Sequence, residues 1–174
     1  SMTRDLQFAM PSAVGAEKTI LGAIMLDNKM FYEAAEQIDI EDFYLDAHRR
    51  IFACMEAVVE DQKAIDIITV TDRLEKRGEV NAVGGVAYVS SLIDGVPHQP
   101  SISSYTKIVR DKALLRKAIH CGLNIKSQAS EHFADAQEVI SQANEAAMNL
   151  TLDQRKRLAE PLSAIMPRML KELY

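Results

Sequence analysis

The side chains that most often carry chemistry are scattered along this chain rather than grouped. Its four histidines show no metal-ligand spacing. His48 stands near Asp46, Arg49 and Arg50, with no second His or Cys three or four residues away. His120 and Cys121 are adjacent, and neighbours on a helix diverge by about 100°, so the pair cannot close on one ion. Cys54 and Cys121 form no CxxC pair and read as reduced, buried thiols. None of the seven glycines (15, 22, 78, 84, 85, 95 and 122) precedes a lysine. The loop G-x-x-x-x-G-K-[ST], whose backbone N–H groups wrap phosphates, is therefore missing. Gly84-Gly85 lacks the preceding strand and the third glycine of a dinucleotide site and reads as a tight turn into a helix. Glu33, Glu36, Glu41 and Asp42 read as solvated surface. The expectation is a chain with no catalytic residue, no cofactor site and no metal site.

Composition narrows the class. Hydrophobic residues at 48% and charged residues at 26% fit a soluble globular protein rather than a disordered one. Aromatics are 6% and Trp is absent, so the core must come mainly from Leu, Ile, Val, Met and Ala. A net charge of −5 argues against autonomous duplex-DNA binding, where phosphate contacts dominate affinity. No run approaches the roughly 18 apolar residues of a membrane span, and no basic-then-apolar signal opens the chain. The expected location is the cytoplasm, with no membrane partner. Ser1-Met2 reads as a tag remnant and a start.

The elements that must position these residues are all helical. After an arm over 1–11, Ser12 is placed to cap a helix carrying Val14, Ile20, Leu21, Ile24 and Met25, stopped by Asp27-Asn28. A short helix follows over Phe31 to Ile38, then a tight turn at Glu41 to Tyr44. Residues from Asp46 to about Val59 repeat apolar side chains every three or four positions. Asp66 caps the next helix. Its β-branched run Ile67, Ile68, Val70, Thr71 favours strand by propensity, but Leu74 continues a helical stripe and Gly78 supplies a stop. Gly84-Gly85 opens a helix through Ile93, and Pro97 with Pro100 marks a loop. Residues 12–103 are thus expected to form a compact multi-helix head.

A different organisation follows over 104–152. Tyr105, Ile108, Leu115, Ile119 and Leu123 share one face of a helix running to about Ala129. Asp135 and Glu138 match the D-x-x-E capping pattern. The helix after them spaces Ala136, Val139, Ala143, Ala146 and Leu150 by three and four. So short a connection makes the two an antiparallel hairpin. Either the head covers its apolar stripe or another molecule does. Self-pairing about a two-fold axis would make Tyr105, Ile108, Leu115, Ile119, Leu123, Val139, Ala143, Ala146 and Leu150 an oligomer interface. Arg155-Lys156-Arg157 and Glu160-Pro161 read as a linker over 153–160. Beyond it, Leu162, Ile165, Met169 and Leu173 sketch a separate amphipathic helix over 161–174, either docked on another molecule or mobile. Pro167 either kinks this helix or belongs to its first turn, the helix then starting near Ala164.

Several of these landmarks coincide with one family. Pro11, Ala16-Glu17 and Leu21-Gly22-Ala23-Ile24-Met25-Leu26-Asp27 resemble the opening of bacterial DnaB-type replicative helicases. So do Glu41-Asp42-Phe43-Tyr44, His48 with Ile51-Phe52, Ile65-Asp66 with Thr69-Val70, Gly84-Gly85-Val86-Ala87-Tyr88, and Tyr105 with Ile108-Val109-Arg110 and Leu115-Arg116. One departure is Gly15, where the family commonly has an acidic residue. The resemblance implies the N-terminal collar region of a hexameric helicase, assembling as a dimer or a trimer of dimers. It implies recruitment of primase and, in many bacteria, of a helicase loader. ATP, magnesium and most DNA contact would belong to a C-terminal ATPase domain beyond this region, on which the helix at 161–174 would dock from a neighbouring subunit. Tyr88 and Tyr105 are the matching aromatics for partner contact, or else core residues with a satisfied hydroxyl. The competing class is a helical DNA-binding module using Lys107, Arg110, Lys112, Arg116 and Lys117, with Arg155 to Arg157.

Overall fold

A computed structural model describes residues 9–172, with side chains described over 9–155. Its elements are α1 (Val14–Leu26), α2 (Lys29–Ala35), a 3-10 turn (Ile40–Asp42), α3 (Asp46–Glu60), α4 (Ile67–Lys76), α5 (Gly85–Ser91), α6 (Ile102–Ala129) and α7 (Ala136–Glu172). Among the described residues every regular element is helical, as the residue patterns require. The chain divides into two compact units, the first ending at Ala113 and the second beginning at Leu114.

In the first unit, α1 is the central helix. From Ile20 to Met25 it is buried at every position, the condition of a helix enclosed on all sides rather than on one stripe. Gly22 makes this possible on one side. A Cβ there would stand 2.0 Å from the Leu92 carbonyl oxygen, so only hydrogen lets the backbones approach so closely. Phe31, Phe43 and Phe52 form an aromatic cluster, with Phe52 centred 5.7 Å from Phe31 and 5.1 Å from Phe43. The first turns of α6 also belong here: Ile102 and Val109 are buried in the core and Tyr105 packs on it. The first unit therefore reaches Ala113, ten residues past the expected end at 103.

Local signals explain most boundaries. Asp66 accepts the Thr69 N–H at 2.8 Å while Thr69 Oγ1 accepts the Asp66 N–H at 3.0 Å, a reciprocal cap that overrides the β-branched run. Gly78 takes φ +67° after α4, the left-handed stop a glycine allows. Asn28 holds the Ile65 backbone from both sides, accepting its N–H and donating to its carbonyl, each at 2.7 Å.

Several expectations need correction. Ala13, not Ser12, occupies the cap position of α1, with no side-chain cap bond, because the first helical bond runs from Glu17 N–H to Ala13 O. Helix α2 lies earlier than Phe31 to Ile38, since Gln37 and Ile38 N–H both turn onto the Ala34 carbonyl. Helix α5 ends at Ser91, giving way to i→i−3 bonds at Leu92 and Ile93. Asp42 is buried rather than solvated; its carboxylate accepts the Asp39 N–H at 2.8 Å. Finally, α7 is helical across 153–160, where a linker was expected. The sequence there, DQRKRLAE, is polar but made of good helix formers, and polarity alone breaks no helix. The side chains of Leu162, Ile165 and Met169, and Leu173 altogether, lie outside the described residues.

In the second unit, α6 and α7 run back along one another. Lys117 of α6 pairs with Asp153 of α7 at 3.1 Å, and Asp135 caps α7 by accepting the Glu138 N–H at 3.0 Å. The half-buried positions are Leu114, Lys117, Cys121, Ile125 and Gln128 on α6 and Val139, Ala143, Ala146, Leu150 and Asp153 on α7. Both sets repeat every three or four residues, so they are the two facing seams of the expected hairpin.

Candidate functional site

Two constellations stand out, one buried in the first unit and one exposed on the second. The buried one joins three helices. Glu17 of α1 and His48 of α3 are fully enclosed, with Glu17 Oε1 2.7 Å from His48 Nδ1. His48 Nε2 lies 2.6 Å from the Tyr88 hydroxyl of α5. The other Glu17 oxygen accepts the Tyr44 N–H at 2.9 Å. A neutral imidazole protonated on Nδ1 satisfies both contacts: it donates to the carboxylate and accepts from the phenol. The Tyr88 ring stacks on His48 at 6.0 Å and carries Lys18 Nζ 5.8 Å from its centre.

The series Tyr–His–Glu has the outline of a nucleophile, a base and an orienting acid, yet its chemistry points the other way. Burial, and secondarily the Glu17 charge, push the Tyr88 hydroxyl above its ordinary value. An activated nucleophile needs the opposite shift, and His48 is closed to any substrate. The relay is a structural tie between α1, α3 and α5 that also fixes the turn before α3. Tyr88 has its hydroxyl satisfied by His48 and its ring half-covered. In the sequence Glu17 is marked only as a motif residue. The signal that marks it is its position: it shares the apolar face with Ile20, Leu21 and Ile24, where an acid is costly unless held.

The exposed constellation lies on α6. Leu115 is 50% exposed, Ile119 38% and Leu123 55%. They recur every four residues on the side of α6 turned away from the seam that faces α7. Ile108, earlier on this face, is also exposed. Tyr105 is not part of this open surface, being half-buried against the head core. Val139, Ala143, Ala146 and Leu150 lie in the seam of the hairpin instead. The nine residues expected at one interface thus fall into three groups: one core-packed, four open on α6, and four in the seam.

Most of the α6 cations named for DNA contact are engaged. Lys107 pairs with Asp111 at 2.7 Å, Lys117 pairs with Asp153, and Arg110 donates to Gln37 Oε1 at 2.8 Å. Arg116 is buried. Lys107, Arg110 and Lys117 are thus partnered rather than a free phosphate-binding row, which weakens the support for the DNA-binding alternative. Among the described residues no group of three His, Cys, Asp or Glu could hold a metal ion, and no helix is long and apolar enough to cross a membrane.

Residues 9–111 match the model of the DnaB-like helicase N-terminal domain. The chain is 41% identical over 115 residues to the replicative DNA helicase DnaB of Haemophilus influenzae, covering 66% of this chain and 25% of that protein. It is 32% identical over 146 residues to DnaB of Geobacillus stearothermophilus, covering 84% and 32%. The chain thus spans between a quarter and a third of the length of these curated relatives. Among solved structures it is similar to the N-terminal domain of DnaB helicase from Mycobacterium tuberculosis. That match has a TM-score of 0.75 at 26% identity, over 81% of this chain and 99% of that one. A DnaB-like replicative helicase described with its interactions with primase shares the fold, with a TM-score of 0.62 at 20% identity, over 78% of this chain and 31% of that one.

Proposed function

This chain belongs to the DnaB-like helicase N-terminal domain family, and from that premise we propose that it is the collar region of a ring-shaped replicative helicase in the bacterial cytoplasm. Its work is assembly and recruitment. It pairs with further copies of itself, as a dimer or a trimer of dimers within a hexamer, and it receives primase and a helicase loader. ATP- and magnesium-dependent unwinding of DNA belongs to the portion of such relatives that this chain does not match.

The observation that carries the reading is the open apolar face of α6. Scattered apolar side chains on a surface need no explanation, but Leu115, Ile119 and Leu123 form one continuous row. Covering a Leu or Ile fully is worth about 1.5–3 kcal/mol each, and the opposite side of α6 is already occupied by α7. A second hairpin laid on this row would complete a four-helix arrangement with a shared core. The relative described with its interactions with primase supports the recruiting half of the proposal.

Light scattering over a concentration series tests the assembly half: the mass is expected to rise above the 19.4 kDa of one chain. Titration of labelled chain with primase tests the recruiting half, with saturable binding expected. A strict monomer that ignores primase would contradict both.

A further inference from the structure

The tip of the hairpin carries an apolar surface separate from the row on α6. In the turn between α6 and α7, Phe133 is 93% exposed, more than any other large apolar side chain among the described residues. The His132 ring meets it edge-on, with centroids 4.7 Å apart. Beside it, Ala129, Ala134, Ala136, Val139 and Ile140 line a cavity of about 230 Å³. Three of these five are alanines, so the walls are short and the space is left for a side chain from outside. Ile140, itself exposed, extends the apolar surface along α7.

The charge in the turn and on the first turns of α7 is acidic, with Lys126 in the last turn of α6 the nearest cation in sequence. Glu131, Asp135 and Glu138 are all exposed, and no Lys or Arg occurs between Lys126 and Arg155. The hydrogen bonds these acids make do not neutralise them: Asp135 accepts the Glu138 N–H and Glu138 accepts the Gln142 amide. A second copy brought tip to tip would set like charges against each other, which disfavours that mode of self-docking. A helix with apolar side chains on one face and Lys or Arg beside them satisfies both the cavity and the charge.

We propose that the hairpin tip is a docking site for a basic amphipathic helix of another protein, one apolar side chain filling the cavity while Phe133 closes over it. The mode is helix-in-groove, with the flanking cations facing Glu131, Asp135 and Glu138. This site is independent of self-assembly, which uses Leu115, Ile119 and Leu123.

The test uses the whole chain and a helical peptide of leucines and lysines, leucines spaced along one face, followed by fluorescence anisotropy. Saturable binding is expected, with a dissociation constant of about 10 µM that weakens as salt is raised. Phe133→Ala should weaken it about tenfold or more, and Glu131→Lys should weaken it too. Phe133 supports no core, so circular dichroism and self-association mass should not change in Phe133→Ala. A peptide with glutamates in place of the lysines should not bind. Absence of saturable binding, equal binding of both peptides, or indifference to Phe133→Ala would each overturn the proposal. A loss of self-association in Phe133→Ala would overturn it as well, by making a second copy the occupant.

Discussion

Removing the Glu17 carboxylate would strand the buried Nδ1–H of His48 and the part-buried Tyr44 N–H at once. Each buried donor left without a partner costs about 1–3 kcal/mol, so Glu17→Ala, which strands more than one, should lower the urea midpoint markedly. Tyr88→Phe removes one hydroxyl from one hydrogen bond and should cost about 1–2 kcal/mol. If the two variants are equally mild, the relay is not what ties α1 to α3. The same residues set an alkaline limit. Burial pushes both the Cys54 thiol and the Tyr88 hydroxyl up, so the unfolded chain releases those protons first. The stability linked to them is intact below the ordinary values, near 9 for the thiol and 10 for the phenol, and is lost as pH rises through the folded values. Unfolding midpoints should therefore fall from about pH 9 upward, and Tyr88→Phe should flatten the upper part of that decline.

Glycine contrasts most sharply at the level of the helix. An alanine at Gly22 would place its Cβ 2.0 Å from a backbone oxygen and 2.7 Å from Val96 Cγ2. The first of these cannot swing aside, so Gly22→Ala should destabilise by at least the 1–3 kcal/mol typical of overpacking. Gly15, in the same helix, has nothing within 4 Å; Gly15→Ala should gain up to about 1 kcal/mol. Thermal melts of the two variants should therefore move in opposite directions. Sequence made the element types legible because their determinants are local: Asp66 and Asp135 cap their helices, and Gly78 stops α4. It misplaced what depends on distant partners. The start of α6 belongs to the head because Ile102 and Val109 find the core there, which no local pattern announces. Polarity at 153–160 looked like a break, yet α7 continues. Asp42 reads as a surface acid and Glu17 as no more than a motif residue, because their backbone and His48 partners appear only on folding.

For the molecule as a whole, the hairpin has two kinds of apolar surface, and only one is internally used. The seam of Val139, Ala143, Ala146 and Leu150 is covered by α6, whereas Leu115, Ile119 and Leu123 are open. The helical periodicity of α6 was readable from sequence, but two apolar faces on one helix cannot be told apart until α7 takes one of them. The central claim is that the open face pairs copies of the chain. The direct measurement is light scattering on Ile119→Asp beside the unchanged chain, with circular dichroism as the control for folding. Ile119 is already 38% exposed, so the fold should tolerate the carboxylate. In a paired core the same group would be buried without a partner. The account predicts an assembled mass for the unchanged chain and a folded monomer for the variant. A folded Ile119→Asp that assembles as before would contradict it and move the interface to the head.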